Sequence, residues 1–243
     1  FNPIYYFRPE SKPFVFTIKT DNAGSANTRF QLPLVSSGTY NFTVDKGNGD
    51  PLVSITVWNS ASTLLDFGVA GTYTVTIRGT INGWQFANTG DRLKLLSITK
   101  WGKLKTGNQA MAFRGCANLN LTTVQDVLDL TGTTNLAELF RGCTTLTTIN
   151  RLNEWNTSSV TDMFYLFQGC SNFNDNVSNW NVSNVTTMNY TFANTAFNQN
   201  IGNWDVSQVT NFSSMFGSVS AFNNGGSRDL NNWLINTISH VDM

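Results

Sequence analysis

Apolar and polar residues alternate with a period of two through the first 85 residues. Phe14, Phe16 and Ile18 share one parity, as do Tyr40, Phe42 and Val44, and then Tyr73, Val75 and Ile77. Side chains of an extended strand point to opposite faces in turn, so each triad reads as the buried side of a β-strand. Turn signals separate the runs at Asn22-Ala-Gly24, Ser36-Ser-Gly38, Gly47-Asn-Gly49 and Ala70-Gly71. Short strands at this spacing predict a β-sandwich over 13–85. An arm at 1–12, with Phe1, Tyr5, Tyr6 and Phe7, precedes it. The arm either packs along its own sandwich or docks on a neighbouring subunit.

The pattern changes over 86–243. Phe113, Phe140, Phe167, Phe192 and Phe216 recur at intervals of 27, 27, 25 and 24, and Trp155, Trp180, Trp204 and Trp233 at 25, 24 and 29. Trp155, Trp180 and Trp204 each precede a Phe by 12 residues. Two interlocked periods mark a repeat array, whose units cannot bury an apolar stripe singly but can do so when stacked. Within a unit, Val160, Met163, Leu166 and Phe167 stand at i, i+3, i+6 and i+7, one face of a short helix. Val209, Phe212, Met215 and Phe216 repeat the spacing, and Val185, Met188 and Phe192 repeat three of its positions.

Thr131, Ser158, Ser183 and Ser207 stand where an N-cap belongs. Gly115, Gly142, Gly169 and Asn194 stand where a left-handed stop belongs, and Ser218 departs from that rule. An extended piece such as Val177 to Val182 completes the unit. The predicted fold is therefore mixed α+β: an N-terminal β-sandwich, then a right-handed leucine-rich-repeat-like solenoid with one short strand and one short helix per repeat. Residues 81–110 join the two parts, with Leu93, Leu95, Ile98 and Trp101 opening the array. The last repeat, beginning at Trp233, is incomplete, which implies further repeats or a partner over the open end.

Composition sharpens this picture. Hydrophobic residues make up 40% and charged residues 12%, and 18 Phe with 7 Trp supply enough burial to exclude a disordered chain. No apolar run is long enough to span a bilayer, and no leader opens the chain. Phe1 in place of Met leaves open a cleaved leader or an excerpt from a longer protein. Net charge is zero, yet residues 1–114 hold 12 Lys and Arg against 6 Asp and Glu, while 115–243 hold 3 against 9. Such a dipole orients a molecule on a charged partner.

Catalytic chemistry finds little to work with. His240 is the only histidine and Glu10, Glu138 and Glu154 the only glutamates, so no nucleophile–base arrangement or glutamate pair is assembled. The expectation is a protein without enzymatic activity or cofactor. Asp45, Asn48 and Asp50 form an oxygen-rich loop that reads either as a calcium site or as a plain turn. Cys116, Cys143 and Cys170 lie 27 apart, close enough when stacked for a disulfide; their odd number favours free thiols in a buried ladder. No metal site is expected from them.

Lys94, Lys100, Lys103 and Lys105 form a basic stretch without an intervening acid, which suits an anionic glycan or simply alternates with leucine on a first coil. No nucleic-acid-binding motif accompanies it. The insertion Asn223-Asn224-Gly-Gly-Ser227-Arg228 lengthens one repeat and is a second candidate binding element. Eight Asn-x-Ser/Thr triplets, among them Asn41, Asn120 and Asn184, arise largely from the repeat itself.

The stretches Trp180-Asn-Val-Ser-Asn-Val-Thr-Thr-Met188 and Phe197-Asn-Gln-Asn-Ile-Gly-Asn-Trp-Asp-Val-Ser207 resemble BspA-type leucine-rich repeats, and more narrowly the roughly 25-residue repeat of mycoplasma lipoproteins. Val44-Asp-Lys-Gly-Asn-Gly49 and Ala70-Gly-Thr-Tyr-Thr-Val-Thr-Ile77 resemble the signature segments of PKD-like domains, with Lys46 where that family has Trp and Asn48 where it has Asp. The first resemblance implies an extracellular, cell-surface or virion-surface protein that binds proteins or glycans without catalysis. The alternative it leaves open is a phage or virus structural component, a fibre, decoration or tail protein anchored through the N-terminal domain to neighbouring virion subunits. Homo-oligomerisation is compatible with either.

Overall fold

A computed structural model describes residues 12–227 together with Leu230 and Trp233. Its regular elements are β-strands: β1 (Phe14–Lys19), β2 (Arg29–Gln31), β3 (Leu34–Asp45), β4 (Val53–Ile55), β5 (Leu64–Asp66), β6 (Thr72–Trp84), β7 (Leu95–Lys100) and β8 (Leu104–Lys105). Six of them form one sheet in the order β4-β3-β6-β1-β7, with β8 added in parallel beside β6; β2 and β5 form a separate pair. The alternating triads lie side by side in register, Phe14 opposite Ile77, Phe16 opposite Val75, and Val44 opposite Ile77 on the other flank. Their apolar side faces β2, where Phe30 meets Phe16 with ring centroids 5.9 Å apart.

β7 ties this sheet to the repeats. It pairs with β1 along one edge, while its Ser97 bridges in parallel to Asn120. The repeats continue the pairing through parallel bridges from Asn135 to Asp162, Thr187 and Asn211. A single apolar core runs from Phe14 to Trp233.

The mixed α+β solenoid is not what the structure contains. No α-helix occurs among the described residues, and helical geometry is confined to short 3-10 turns such as Arg92–Lys94 and Leu152–Glu154. The segments expected to be helices are turn-rich ribbons laid beside one another. The N–H groups of Met163, Tyr165, Phe167 and Gly169 donate to the carbonyls of Thr187, Asn189, Thr191 and Ala193 on the next tier. The intervening N–H groups of Leu166, Gln168 and Cys170 turn back three residues to Met163, Tyr165 and Phe167. Both sets of amides are thus satisfied, half of them between tiers, which an α-helix would have forbidden.

Local chemistry favours this outcome. Asp162 accepts from the N–H of Phe164 at 2.8 Å, Asn135 from Ala137 at 2.7 Å and Asn211 from Ser213 at 2.9 Å, so a short polar side chain folds each ribbon entry into an Asx turn. The serines expected as N-caps follow such turns instead of heading a helix: Ser158, Ser183 and Ser207 donate N–H groups to Asn156, Asn181 and Asp205. The residue two before each anchor Phe is left-handed though not glycine, with φ of 55° at Met111, Glu138 and Tyr165, 58° at Tyr190 and 51° at Ser214. Left-handed stops do follow the anchors, at Gly115, Gly142, Gly169 and Asn194, and Ser218 joins them at φ 61°.

The anchors themselves stack. Phe113, Phe140, Phe167, Phe192 and Phe216 form a ladder with centroid spacings of 5.6, 5.7, 5.9 and 6.0 Å. A second ladder joins Phe173, Phe197 and Phe222. Trp180, Trp204 and Trp233 each donate an indole N–H one tier back, to Leu152, Val177 and Ile201. Trp155 is buried in the same column with no acceptor for its indole N–H among the described residues.

Candidate binding cleft

The strands place a cleft, rimmed by charged side chains, where the sheet meets the first tiers. Ile81 is buried, so Thr80 and Asn82 on either side of it face outward; Thr39 stands opposite Asn82 in the β3–β6 register. β8 pairs in parallel with β6, setting Leu104 beside Ile81 and Lys105 beside Asn82. Leu104 is buried, which leaves Lys103 and Lys105 on the outer side with the threonines. Asp126, Val127, Asp129 and Arg151 close the other wall, and Lys12 completes the rim of a cavity of about 710 Å³.

Backbone geometry holds this wall in place. The Asp126 carboxylate accepts from the N–H groups of Trp101 at 2.7 Å and Gly102 at 2.9 Å, joining one tier to the turn that ends β7. Gly102 has φ 56°, and a β-carbon there would lie 2.2 Å from the Pro13 carbonyl, so only glycine fits. Asp129 is held below the usual carboxylate range by the Thr131 hydroxyl and N–H, with Lys105 adding to it from 3.4 Å. The guanidinium of Arg151 is paired with Glu154 at 2.7 Å, which raises its own pKa, and it also donates to the Gln125 carbonyl. Lys103 is exposed and makes no ion pair among the described residues.

The basic stretch therefore divides. Lys103 and Lys105 reach the cleft, whereas Lys100 is half-buried on β7 and does not line it. Lys94 is buried outright, its ammonium donating to the carbonyls of Ser25, Ala26 and Arg29 near Asp91. Desolvation pushes its pKa down, with Asp91 and Asp21 opposing that shift. It fastens the loop before β2 and presents no charge to solvent.

The other candidate residues are internally committed. Asp50 accepts from the Lys46 ammonium at 2.6 Å and from the Asn48 amide at 2.8 Å, while Asp45 accepts from the Gly47 N–H. A lysine thus occupies the carboxylate that a calcium ion would need, and no cluster of metal-ligating side chains occurs among the described residues. Asn223 caps the Gly226 N–H, and Asn224 is buried, accepting from Ile201 at 2.7 Å and donating to Ser227. That insertion folds back onto its tier; Arg228 and His240 lie outside the described residues. Cys116, Cys143 and Cys170 are free and buried, and the thiols of Cys143 and Cys170 donate to the carbonyls of Phe113 and Phe140. Burial pushes the Cys116 and Cys143 thiols up.

One surface stripe had no signal in the sequence beyond a position shared by every unit. The left-handed residues before the anchors fall in line on successive tiers: Glu138, itself buried, accepts from Arg114 and Arg141, both at 2.9 Å, and Arg141 lies 4.3 Å from the centre of the half-buried Tyr165 ring. Tyr165 and Tyr190 stack at 4.5 Å with planes 1° apart.

Residues 134–243 match the family described as Mycoplasma protein of unknown function, DUF285. The DUF285 match begins at Thr134, at the entry to the Phe140 tier, and takes in the Phe ladder from Phe140 onward together with Tyr165 and Tyr190. The cleft lies mostly before it, with Arg151 its one contribution from the matched segment. No curated protein matches the chain, and no solved structure does. No helix among the described residues is long and apolar enough to cross a membrane.

Proposed function

We propose that this chain is a non-catalytic binding protein of a cell or virion surface, recognising a protein or glycan through the open side of its repeats and the cleft at their base. The observation that carries the reading is the stack of Tyr165 and Tyr190, half-buried rings on successive tiers with the Arg141 guanidinium against Tyr165. Both tyrosines hold left-handed backbone two residues before their anchor Phe, which brings the two rings to the same place on neighbouring tiers. Left-handed backbone at such residues costs of order 1 kcal/mol each, and an aromatic stack with a guanidinium on it suits an extended contact surface. A BspA-like surface protein is compatible with the DUF285 match.

The test is saturable binding of the fluorescent chain to a glycan array and to intact cells. Tyr190→Ala should weaken that binding while leaving the melting temperature within a few degrees. Failure to bind any surface in saturable fashion, or loss of nothing in the variant, would remove this reading.

A structural role in a virion is supported by a different feature. Leu52, Val57 and Trp58 are exposed on the segments flanking β4, which is an edge strand of the main sheet. An apolar patch at a free strand edge is an anchoring surface. Light scattering with negative-stain imaging distinguishes the two: a symmetric array lost in Trp58→Ser supports anchoring, and a monomer at all concentrations opposes it.

A further inference from the structure

We propose that the cleft between β6, β8 and the first tiers binds a short acidic saccharide, one bearing carboxylate or sulfate groups. This deepens the binding reading above and rests on it only for the claim that the chain binds ligands. The cavity, about 710 Å³, falls within the range of small-ligand sites, roughly 300–1,000 Å³. Its floor offers neutral partners for sugar hydroxyls: the side chains of Thr39, Thr80 and Asn82, fixed by the strand register. Its rim offers cations for an anionic substituent, led by Lys103 and Lys105.

The cations outnumber the acids in the lining, with Lys12, Lys103, Lys105 and Arg151 against Asp126 and Asp129. Both oxygens of Asp126 are taken by backbone N–H groups. Among the described residues, Asp129 is the lining carboxylate within ion-pair distance of a lysine, at 3.4 Å from Lys105. Lys103 has no such competitor among the described residues. An incoming carboxylate or sulfate gains charge-assisted hydrogen bonds there without breaking an existing pair.

Ligand length follows from charge distribution. Residues 1–114 carry 12 basic and 6 acidic residues, and 115–243 carry 3 and 9, so a polyanion leaving the cleft along the repeats meets net negative charge. A nucleic acid requires a continuous basic track. A short oligosaccharide needs only the rim.

Calorimetric titration of the full chain tests this with four probes: a sulfated, uronate-bearing tetrasaccharide, its desulfated and carboxyl-reduced counterpart, a ten-residue oligothymidylate, and inorganic sulfate. The acidic tetrasaccharide should bind, and Lys103→Glu should weaken it by roughly tenfold or more, the loss of one charge-assisted contact. Asp129→Asn should strengthen binding severalfold by releasing Lys105, an effect that a merely damaged fold would not produce. Equal affinity of wild type and Lys103→Glu overturns the proposal. So does equal binding of the neutral sugar, the oligothymidylate or sulfate alone. If the acidic tetrasaccharide fails but the chain still decorates cells, the cleft assignment falls and the broader binding reading stands.

Discussion

Phe140 and Phe167 stack with centroids 5.7 Å apart and planes 7° from parallel, each fully buried and each one rung of a ladder that crosses the repeats. Phe167 also lies against Phe173 at 4.0 Å and Phe192 at 5.9 Å. Removing the ring therefore opens a void with aromatic walls on three sides. Phe167→Ala should cost about 3–5 kcal/mol, measured by urea unfolding with an unchanged slope. A loss below about 1 kcal/mol would mean that the tiers do not depend on the ladder.

The joint between sheet and repeats makes a second case. Asp126→Ala leaves the N–H groups of Trp101 and Gly102 without their acceptor. The cost should be about 2–4 kcal/mol, with partial recovery in Asp126→Asn, which keeps one oxygen. Gly102→Ala should be at least as severe, because its β-carbon meets the Pro13 carbonyl at 2.2 Å and its φ of 56° is itself unfavourable for alanine. Hydrogen exchange at β7 and the first tier would show local opening before the sheet itself unfolds.

The thiols give a pH dependence with a definite sign. Burial raises Cys116 and Cys143 well above the ordinary thiol value of about 9, so the folded state keeps protons that the unfolded state releases. Stability from these groups is intact below about pH 9 and declines as pH rises through and beyond it. The double variant Cys116→Ala with Cys143→Ala should lose stability at neutral pH yet show a shallower alkaline decline. Native protein should also resist iodoacetamide at pH 8.5 and react only when denatured. Rapid labelling of the native thiols would contradict their burial.

Much of the architecture is written in periodicity, and the exceptions have physical reasons. Phe14, Phe16 and Ile18 point inward because a strand alternates, and the Phe ladder appears wherever identical anchors recur at one tier's length. The spacing of Val160, Met163, Leu166 and Phe167 was legible as a buried stripe but not as a conformation. A ribbon with three-residue turns and a helix bury the same positions, and the choice depends on hydrogen bonds made to a tier 23–28 residues away. Lys94 looked like a solvated member of a basic stretch, since the carbonyls that hold it lie 65–69 residues upstream. The cleft was half visible: Lys103 and Lys105 carry a local charge signal, whereas Thr39, Asn82, Asp129 and Arg151 meet them only through folding.

The helix question has its own experiment, because the two conformations assign different jobs to neighbouring residues. In a helix, Ser183 is the cap and its hydroxyl carries the stabilisation. In the ribbon, Asn181 heads the turn, accepting both the Ser183 N–H at 3.0 Å and its hydroxyl at 2.8 Å. Asn181→Ala should then cost about 1–2 kcal/mol, since it leaves two donors to find new partners, whereas Ser183→Ala removes one exposed bond and should cost about 0.5 kcal/mol. The same ordering should hold for Asn156 against Ser158, whose N–H and hydroxyl both meet Asn156. Thermal melts of the four variants decide it, and a larger loss from the serine in both pairs would restore the helical cap.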